Sequence, residues 1–392
     1  MTSNPLLKKQ IQEFIRQNIG ADVGSLSLKN NPFVEVDYKE ILNQIEAKTK
    51  AQHKLPTWFK TENILYPSKI SIEQTSSEIT AKYKSDITSG NRIIDLTGGF
   101  GVDCYYFSQV FKEVLHCEIN PQLSQIVEYN FKVLGKKNIT CYAQDSLEVL
   151  KTQPEKFDWI YIDPSRRNDL KGKVFLLKDC LPDVTVLLEE YFAFSDNILI
   201  KTSPIYDISV GISELQNVRN IHIVSVENEV KELLFELKKG YEDSVTVKTI
   251  NFTKNKTETF DFELDNDSEA TLSEPEKYLY EPNAALMKSQ GFGSLSKALN
   301  ISKLHKHSHL FTSDKLIDFQ GRSFEIERIL PYKKEFIKKE LQGKKANISV
   351  RNFPETVAQI RKKWKIKEGG DRYVFFTTNL KNEKIVVLCR KI

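Results

Sequence analysis

The chain has 392 residues, 40% of them hydrophobic, with 13 Pro, 16 Gly and a formal net charge of +4. That length supports two or three domains, and the composition excludes a disordered or collagen-like chain. No apolar run reaches the roughly 18 residues of a membrane helix, and Met1-Thr2-Ser3-Asn4-Pro5 lacks the basic-then-apolar pattern of a leader, so no membrane and a cytoplasmic location are expected.

Residues 1–86 read as a helical region. Leu7, Ile11, Phe14, Ile15 and Ile19 recur at helical spacing, and Gly20 ends that run. Ile41, Leu42 and Ile45 mark a second helix from about Asp37, and Leu55-Pro56-Thr57-Trp58-Phe59 is a turn with aromatic anchors. Ser71 with Gln74 makes a capping box for a third helix over 71–84, with Ile72, Ile79 and Tyr83 on its apolar side.

A second domain is expected over 87–270, and from Asn91 to Leu237 its strands and helices alternate. Strands are predicted at 92–97, 113–118, 138–142, 159–163, 197–202, 221–226 and 233–237, and helices at about 121–134, 174–193 and 206–216. Short apolar strands with helical crossovers give an α/β, doubly wound, mostly parallel sheet. Only Glu227-Asn228-Glu229-Val230 separate the last two strands, too few residues for a crossover helix, so these two must pair antiparallel. Two more strands follow at 244–252 and 258–264, then an acidic linker at 265–269 and a small, loop-rich connecting module at 276–321. The last part, 322–392, reads strand, helix, strand, helix, strand, strand. It holds 19 Lys and Arg against 8 Asp and Glu, an excess of eleven positive charges, which leaves the remainder at −7. A basic terminal domain on an acidic body implies an anionic partner.

The chemistry gathers at Asp95 to Gly101. A strand ending in Asp95 runs into Thr97-Gly98-Gly99-Phe100-Gly101 and then into a helix. Absent Cβ atoms let a ligand approach the backbone of such a turn, and the helix start offers free N–H donors. A P-loop would need Gly-Lys-Ser/Thr, which is missing, and a dinucleotide fingerprint counted from Gly99 and Gly101 finds Cys104 where its third glycine belongs. The pattern Asp-x-x-Gly-Gly-x-Gly resembles the S-adenosylmethionine loop of class I methyltransferases. Glu118 ends the next strand, 23 residues after Asp95, where a carboxylate accepts both ribose hydroxyls of a nucleoside ligand. The resemblance gives Asp145, after the third strand, the adenine amino group; Asp145 is equally suited to cap the helix that follows. The cofactor set is therefore Asp95, Thr97, Gly98, Gly99, Gly101, Glu118 and Asp145, with S-adenosyl-L-methionine as the cofactor. The resemblance also puts the helix before the first strand over the cofactor's methionine end, where Gln74, Ser76 and Ser77 are candidates for polar contacts or plain helix surface.

The fourth strand ends in Asp163-Pro164-Ser165-Arg166-Arg167. Enzymes that methylate amino groups of nucleic acids carry Asp/Asn-Pro-Pro-aromatic there. The acidic group and the Pro carbonyl accept from the target amine, and the aromatic stacks on a flipped base. Asp163 and Pro164 match, whereas Ser165 replaces the second Pro and Arg166 the aromatic; an Arg can stack on a base or grip a phosphate. Asp163, Pro164 and Arg166 are the catalytic candidates. Lys201-Thr202-Ser203-Pro204 after the fifth strand holds no cysteine, which disfavours the covalent route of the uracil-C5 methyltransferases. Ser165, Arg167, Lys201 and Ser203 are substrate-side candidates.

Five scattered cysteines without Cys-x-x-Cys read as reduced thiols and not as a zinc site. His305, His307 and His309 alternate as they would on one face of a strand, but no carboxylate or Cys stands near, so a polar or phosphate-facing patch is expected and no metal. The order of elements in 322–392 resembles THUMP domains, RNA-binding modules fused to tRNA- and rRNA-modifying enzymes. Arg361, Lys362 and Lys363 then become RNA phosphate contacts, and Trp364 is either a stacking residue or core. Taken whole, and most of all at Ser71 to Asp103 and Tyr280-Glu281-Pro282-Asn283, the chain resembles a bacterial group of class I methyltransferases with a C-terminal THUMP-like domain. The resemblance implies a Rossmann-like sheet, an N-terminal helical region and an α+β tail, with methylation of a base nitrogen in rRNA or tRNA. The alternatives are methylation of a protein or small molecule, and a cofactor- and RNA-binding module without turnover. The oligomeric state is not readable from these residues.

Overall fold

The computed structural model describes residues 4–166, 176–264 and 269–392. The chain forms two compact units, Met1–Val218 with Phe235–Tyr241, and Arg219–Leu234 with Glu242–Ile392.

The first unit starts with helices α1 (Lys9–Gln17), α2 (Val23–Ser27), α3 (Tyr38–Lys54), α4 (Pro56–Lys60), α5 (Lys69–Gln74) and α6 (Glu78–Asp86). Ile11 and Ile15 of α1 meet Ile41, Leu42 and Ile45 of α3 in one buried cluster, on the spacing expected. The helix expected over 71–84 is instead two. α5 begins before Ser71, the chain breaks at Thr75-Ser76-Ser77, and Ser77 caps α6 by accepting the Thr80 N–H. The buried side of α6 is mostly polar (Thr80, Ala81, Lys84, Ser85), while Ile79 is 47% exposed.

The alternating region follows as β1 (Arg92–Asp95), α7 (Val102–Phe107), β2 (Glu113–Cys117), α8 (Pro121–Val133), β3 (Ile139–Tyr142), α9 (Ser146–Lys151), β4 (Trp159–Ile162), the short β5 (Ser165–Arg166) and β6 (Cys180–Leu181), α10 (Val184–Phe194), β7 (Asn197–Thr202), α11 (Ile208–Glu214), β8 (Val218–Val226) and β9 (Glu229–Lys238). In place of one helix over 174–193, a short 3-10 turn (Leu177–Asp179) and β6 precede α10, whose start Asp183 caps. In the first unit the sheet order is β9-β7-β4-β1-β2-β3. The five central strands pair in parallel. Ile93, Ile94, Val114, Ile160, Ile162, Ile198, Leu199 and Ile200 are fully buried. Burial on both faces is why these strands read as unbroken apolar runs. β8 and β9 are joined by Glu227 and Asn228, both at positive φ, the backbone a tight antiparallel hairpin needs.

The second unit adds β10 (Thr246–Phe252) and β11 (Thr257–Glu263), with β10 parallel to β8 and antiparallel to β11. Then come β12 (Tyr278–Pro282), α12 (Ala284–Ser289), α13 (Phe292–Leu299), β13 (Ser302–Lys303), β14 (Phe311–Ser313), β15 (Gly321–Pro331), α14 (Lys334–Glu340), β16 (Asn347–Val350), α15 (Val357–Trp364), β17 (Arg372–Thr378) and β18 (Lys384–Lys391). A seven-stranded sheet, β13-β14-β12-β15-β18-β17-β16, takes strands from both sides of residue 320. The stretch 276–321, expected to be loop-rich, thus holds three strands and two helices. After residue 321 the elements follow the expected order. Trp364 is core: it is 7% exposed among Leu341, Ile360 and Phe376, and its Nε1–H donates to the Tyr332 hydroxyl at 3.2 Å.

Candidate active site

Parallel strands place their C-terminal ends along one edge, where a ligand crevice opens. β1 delivers Asp95 there, opposite His116 of β2 and Tyr161 of β4 in register. The glycine turn is held by the Gly98 N–H, which donates to Cys117 O at 2.8 Å, and by the Gly101 N–H, which donates to Gly98 O at 2.9 Å. Its glycines serve different purposes. A Cβ on Gly98 would lie 2.3 Å from His116 Nε2, and one on Gly101 would lie 2.5 Å from Phe131 Cζ. A Cβ on Gly99 would meet only Thr97 O, at an ordinary 3.7 Å, but Gly99 takes φ +52°, a conformation that glycine enters without strain.

Asp95 is 2% exposed. Its Oδ1 accepts from the Thr97 N–H at 2.9 Å and the Thr97 hydroxyl at 3.2 Å, and Oδ2 accepts from the Cys104 thiol at 3.4 Å. Burial pushes its carboxyl up to about 7, with Asp103 and Asp163 adding in the same direction against the Thr97 hydrogen bond. Glu118 faces the turn: Oε2 accepts from Gly99 N–H at 3.1 Å and Oε1 from Asn120 N–H at 2.8 Å. Ile119 beside it is 74% exposed, an apolar surface next to a carboxylate. Asp145 caps α9, accepting from Leu147 N–H at 2.9 Å and Glu148 N–H at 3.3 Å. Open backbone at Gly99, a carboxylate at the turn and an exposed apolar side chain fit a nucleoside-type ligand.

Asp163, Pro164, Lys201 and Ser203, candidates for the reaction side, sit at the same edge. The Asp163 N–H donates to Thr97 Oγ1 at 2.7 Å, so the end of β4 is bonded directly to the glycine turn. The Asp163 carboxylate is ion-paired with Lys201 at the end of β7. Pro164 is buried, Ser165 is exposed, and Ser203 is half-buried just past β7. β5 pairs Arg166 with Cys180 of β6. Arg167 lies outside the described residues.

Four residues of this edge carry no sequence motif. His116 is fully buried under the turn, and burial pushes its imidazole down to about 4. The neutral ring approaches Gly99 O with Nε2 at 3.2 Å, and Nδ1 has no partner among the described residues, which puts the proton on Nε2. Asp103 of α7 accepts from Ser76 Oγ at 2.8 Å and the Tyr161 hydroxyl at 3.1 Å, and it forms an ion pair at 3.2 Å with the fully buried Lys84 of α6. Ser76 and Ser77 are thus spent on Asp103 and on the α6 cap. His116 had a readable signal: it is two residues before Glu118, hence on the same strand face.

On α15 the three basic candidates differ. Arg361 donates to the carbonyls of Ile366 and Ala346, and Lys363 bonds Glu355 and the Tyr332 hydroxyl. Lys362 is exposed and makes no hydrogen bond or ion pair among the described residues. The three histidines do not line a strand: residues 304–310 are the turn between β13 and β14. Among the described residues no group of three His, Cys, Asp or Glu is placed to hold a metal ion, and no helix is long and apolar enough to cross a membrane.

The family described as THUMP domain-like matches residues 321–391, and a ferredoxin-like domain family matches 278–319. No curated protein matches the chain. A crystal structure described as a "putative methyltransferase" of Porphyromonas gingivalis W83 is 30% identical over 97% of each chain, with a TM-score of 0.86. A "putative methyltransferase" of Streptococcus mutans in complex with SAH is 14% identical over 41% of this chain and 96% of that one (TM-score 0.31). An rRNA methylase of Streptococcus thermophilus is 16% identical over 41% and 94% (TM-score 0.30). The last two are too distant to bear on function.

Proposed function

The chain belongs to the class I S-adenosylmethionine-dependent methyltransferases that end in a THUMP-like domain, and from that premise we propose that it methylates a nitrogen of an RNA base in rRNA or tRNA. The observation that carries the methyl-transfer part of this reading is the 2.7 Å bond from Asp163 N–H to Thr97 Oγ1, which ties the Asp163-Pro164 motif to the glycine turn.

S-adenosylmethionine supplies a methyl group already activated on a sulfonium, so the protein's contribution is mainly placement. Asp95, Thr97, Gly98, Gly99, Gly101, Glu118 and Asp145 are the residues that would hold it. Glu118 already accepts two N–H bonds and can take hydroxyl hydrogens in the same way. Asp163 accepts the hydrogen of the attacking nitrogen and aims its lone pair, with the Pro164 carbonyl as second acceptor. Lys201 keeps the Asp163 carboxylate fixed through their ion pair. Ser165, Arg166, Arg167 and Ser203 border the target. The RNA reading rests on the tail's eleven excess positive charges and on its resemblance to an RNA-binding module.

The test is transfer of tritiated methyl onto total RNA from a strain lacking the protein, followed by nucleoside analysis. We expect label in one modified nucleoside, and none when RNA from the parent strain is offered. Label appearing only in protein or small-molecule fractions would refute the RNA target.

A further inference from the structure

The histidine run left over from the sequence becomes a built feature of the second unit. His305 is 7% exposed and fully bonded: Nδ1 accepts from the Asn352 amide at 2.9 Å and the His307 N–H at 3.1 Å, while Nε2–H donates to Asn382 Oδ1 at 3.0 Å. It pins the β13–β14 turn to the loop after β16, where Arg351 precedes Asn352. Lys303, 4% exposed, enters the same place without a carboxylate: its Nζ donates to Lys306 O at 2.8 Å and His309 Nδ1 at 3.4 Å, and stands 4.6 Å from the centre of the Phe292 ring. His309 stacks on Phe292 with centroids 4.3 Å apart. Arg351 and Arg322 share one buried carboxylate, Glu281.

The charges do not balance. Lys303, Arg322 and Arg351 bring three positive charges, and among the described residues Glu281 is the one carboxylate bonded to any of them. Burial holds the Lys303 amine down to about 8, and burial with Lys303, Arg351 and His307 holds the His309 ring down to about 4. Groups kept from their charged forms by burial, and in His309 also by neighbouring positive charge, gain from an anion. A buried ammonium with a donor to spare and a nearby guanidinium are the groups that bind phosphate oxygens, and a stacked ring pair beside them suits a nucleotide.

We propose that the β13–β14 turn, with Lys303, His309 and Arg351, is a phosphate-binding site whose occupant is a backbone phosphate of RNA. The identity of the occupant rests on the RNA reading above; the anion site does not.

The test uses the full chain with ¹⁵N-labelled histidine. The His309 signal is identified by its loss in His309→Gln. Inorganic phosphate and, separately, a total-tRNA preparation are titrated in. We expect both to move the His309 signal saturably and to raise the midpoint of its titration, and Lys303→Met to abolish both effects with an unchanged thermal melt. In gel shifts at several salt concentrations, His309→Gln and Lys303→Met should each weaken tRNA binding, and Lys303→Met should flatten the salt slope by about 0.7 to 0.9. A His309 signal that neither probe moves overturns the site. Movement by phosphate but not by tRNA that does bind overturns the RNA occupant and leaves a free-phosphate site. Wild type that takes phosphate but binds no RNA overturns the RNA reading itself.

Discussion

Gly98→Ala tests the packing of the cofactor turn. The new Cβ would stand 2.3, 2.4 and 2.7 Å from His116 Nε2, Cδ2 and Cε1, all well inside ordinary contact. The ring has no room to retreat, because His116 is fully buried and meets Phe131 edge-on at 5.9 Å. Overpacking of this kind costs about 1–3 kcal/mol, and breaking the His116–Gly99 hydrogen bond adds about 1 kcal/mol. We expect Gly98→Ala to lose about 2–4 kcal/mol in urea unfolding and to bind S-adenosylhomocysteine more weakly by calorimetry. Combining it with His116→Ala makes space for the methyl, so the double variant should be more stable than the sum of the two single changes predicts. Near-additive losses, or a Gly98→Ala protein within 0.5 kcal/mol of wild type with full affinity, would refute the idea that His116 sets the height of the turn.

Glu118→Ala should weaken S-adenosylhomocysteine binding by about 1.5–3 kcal/mol, the range for hydrogen bonds to a charged group, read by calorimetry. Asp163→Ala should abolish methyl transfer with cofactor affinity nearly intact; equal loss of both would move Asp163 into the cofactor site. Asp95 gives a pH dependence: its carboxyl is raised from 3.8 to about 7, chiefly by burial, so the folded state keeps a proton that the unfolded chain has released. Its contribution to stability is complete below about pH 4 and is lost as pH rises through 7, and Asp95→Asn should flatten the urea-midpoint profile between pH 4 and 8. Replacing Arg361, Lys362 and Lys363 together with Ala should flatten the salt slope of RNA binding by about one unit and not three, since Arg361 and Lys363 are already bonded within the protein; an unchanged slope would remove α15 from the RNA surface.

The glycine turn and the central strands were legible because both signals are local. Arg92 to Asp95 is a run of a buried parallel strand, and Gly98, Gly99 and Gly101 announce a tight turn, two of whose positions, Gly98 and Gly101, have no room for a side chain. Two residues between β8 and β9 allow only an antiparallel return. What was not legible depends on partners distant in sequence. The α6 face was misassigned because periodicity counts apolar residues, and the inward ones here are Thr80, Lys84 and Ser85, made tolerable by Asp103 and other polar neighbours. The three histidines alternate like a strand, yet His309 takes φ +52° and His305 is drawn inward by Asn352 and Asn382, 47 and 77 residues away. The pairing of Asp163 with Lys201 was equally hidden: each was a candidate by position, and only the register of β4 with β7 sets them side by side.

β12 pairs along its whole length with β15, from Tyr278 opposite Glu325 to Pro282 opposite Gly321, across the point where the two matched families meet. That border has consequences for inheritance. A crossover at residue 320 between this gene and a relative would join two halves of one sheet, and the strands would still zip together, because backbone hydrogen bonds do not read side chains. Glu281 would not be so indifferent: upstream of the crossover and 4% exposed, it would need the other parent to bring its own arginines at the places of Arg322 and Arg351. Viable recombinants should therefore carry all three residues or none, and the two segments should travel through descent as a pair.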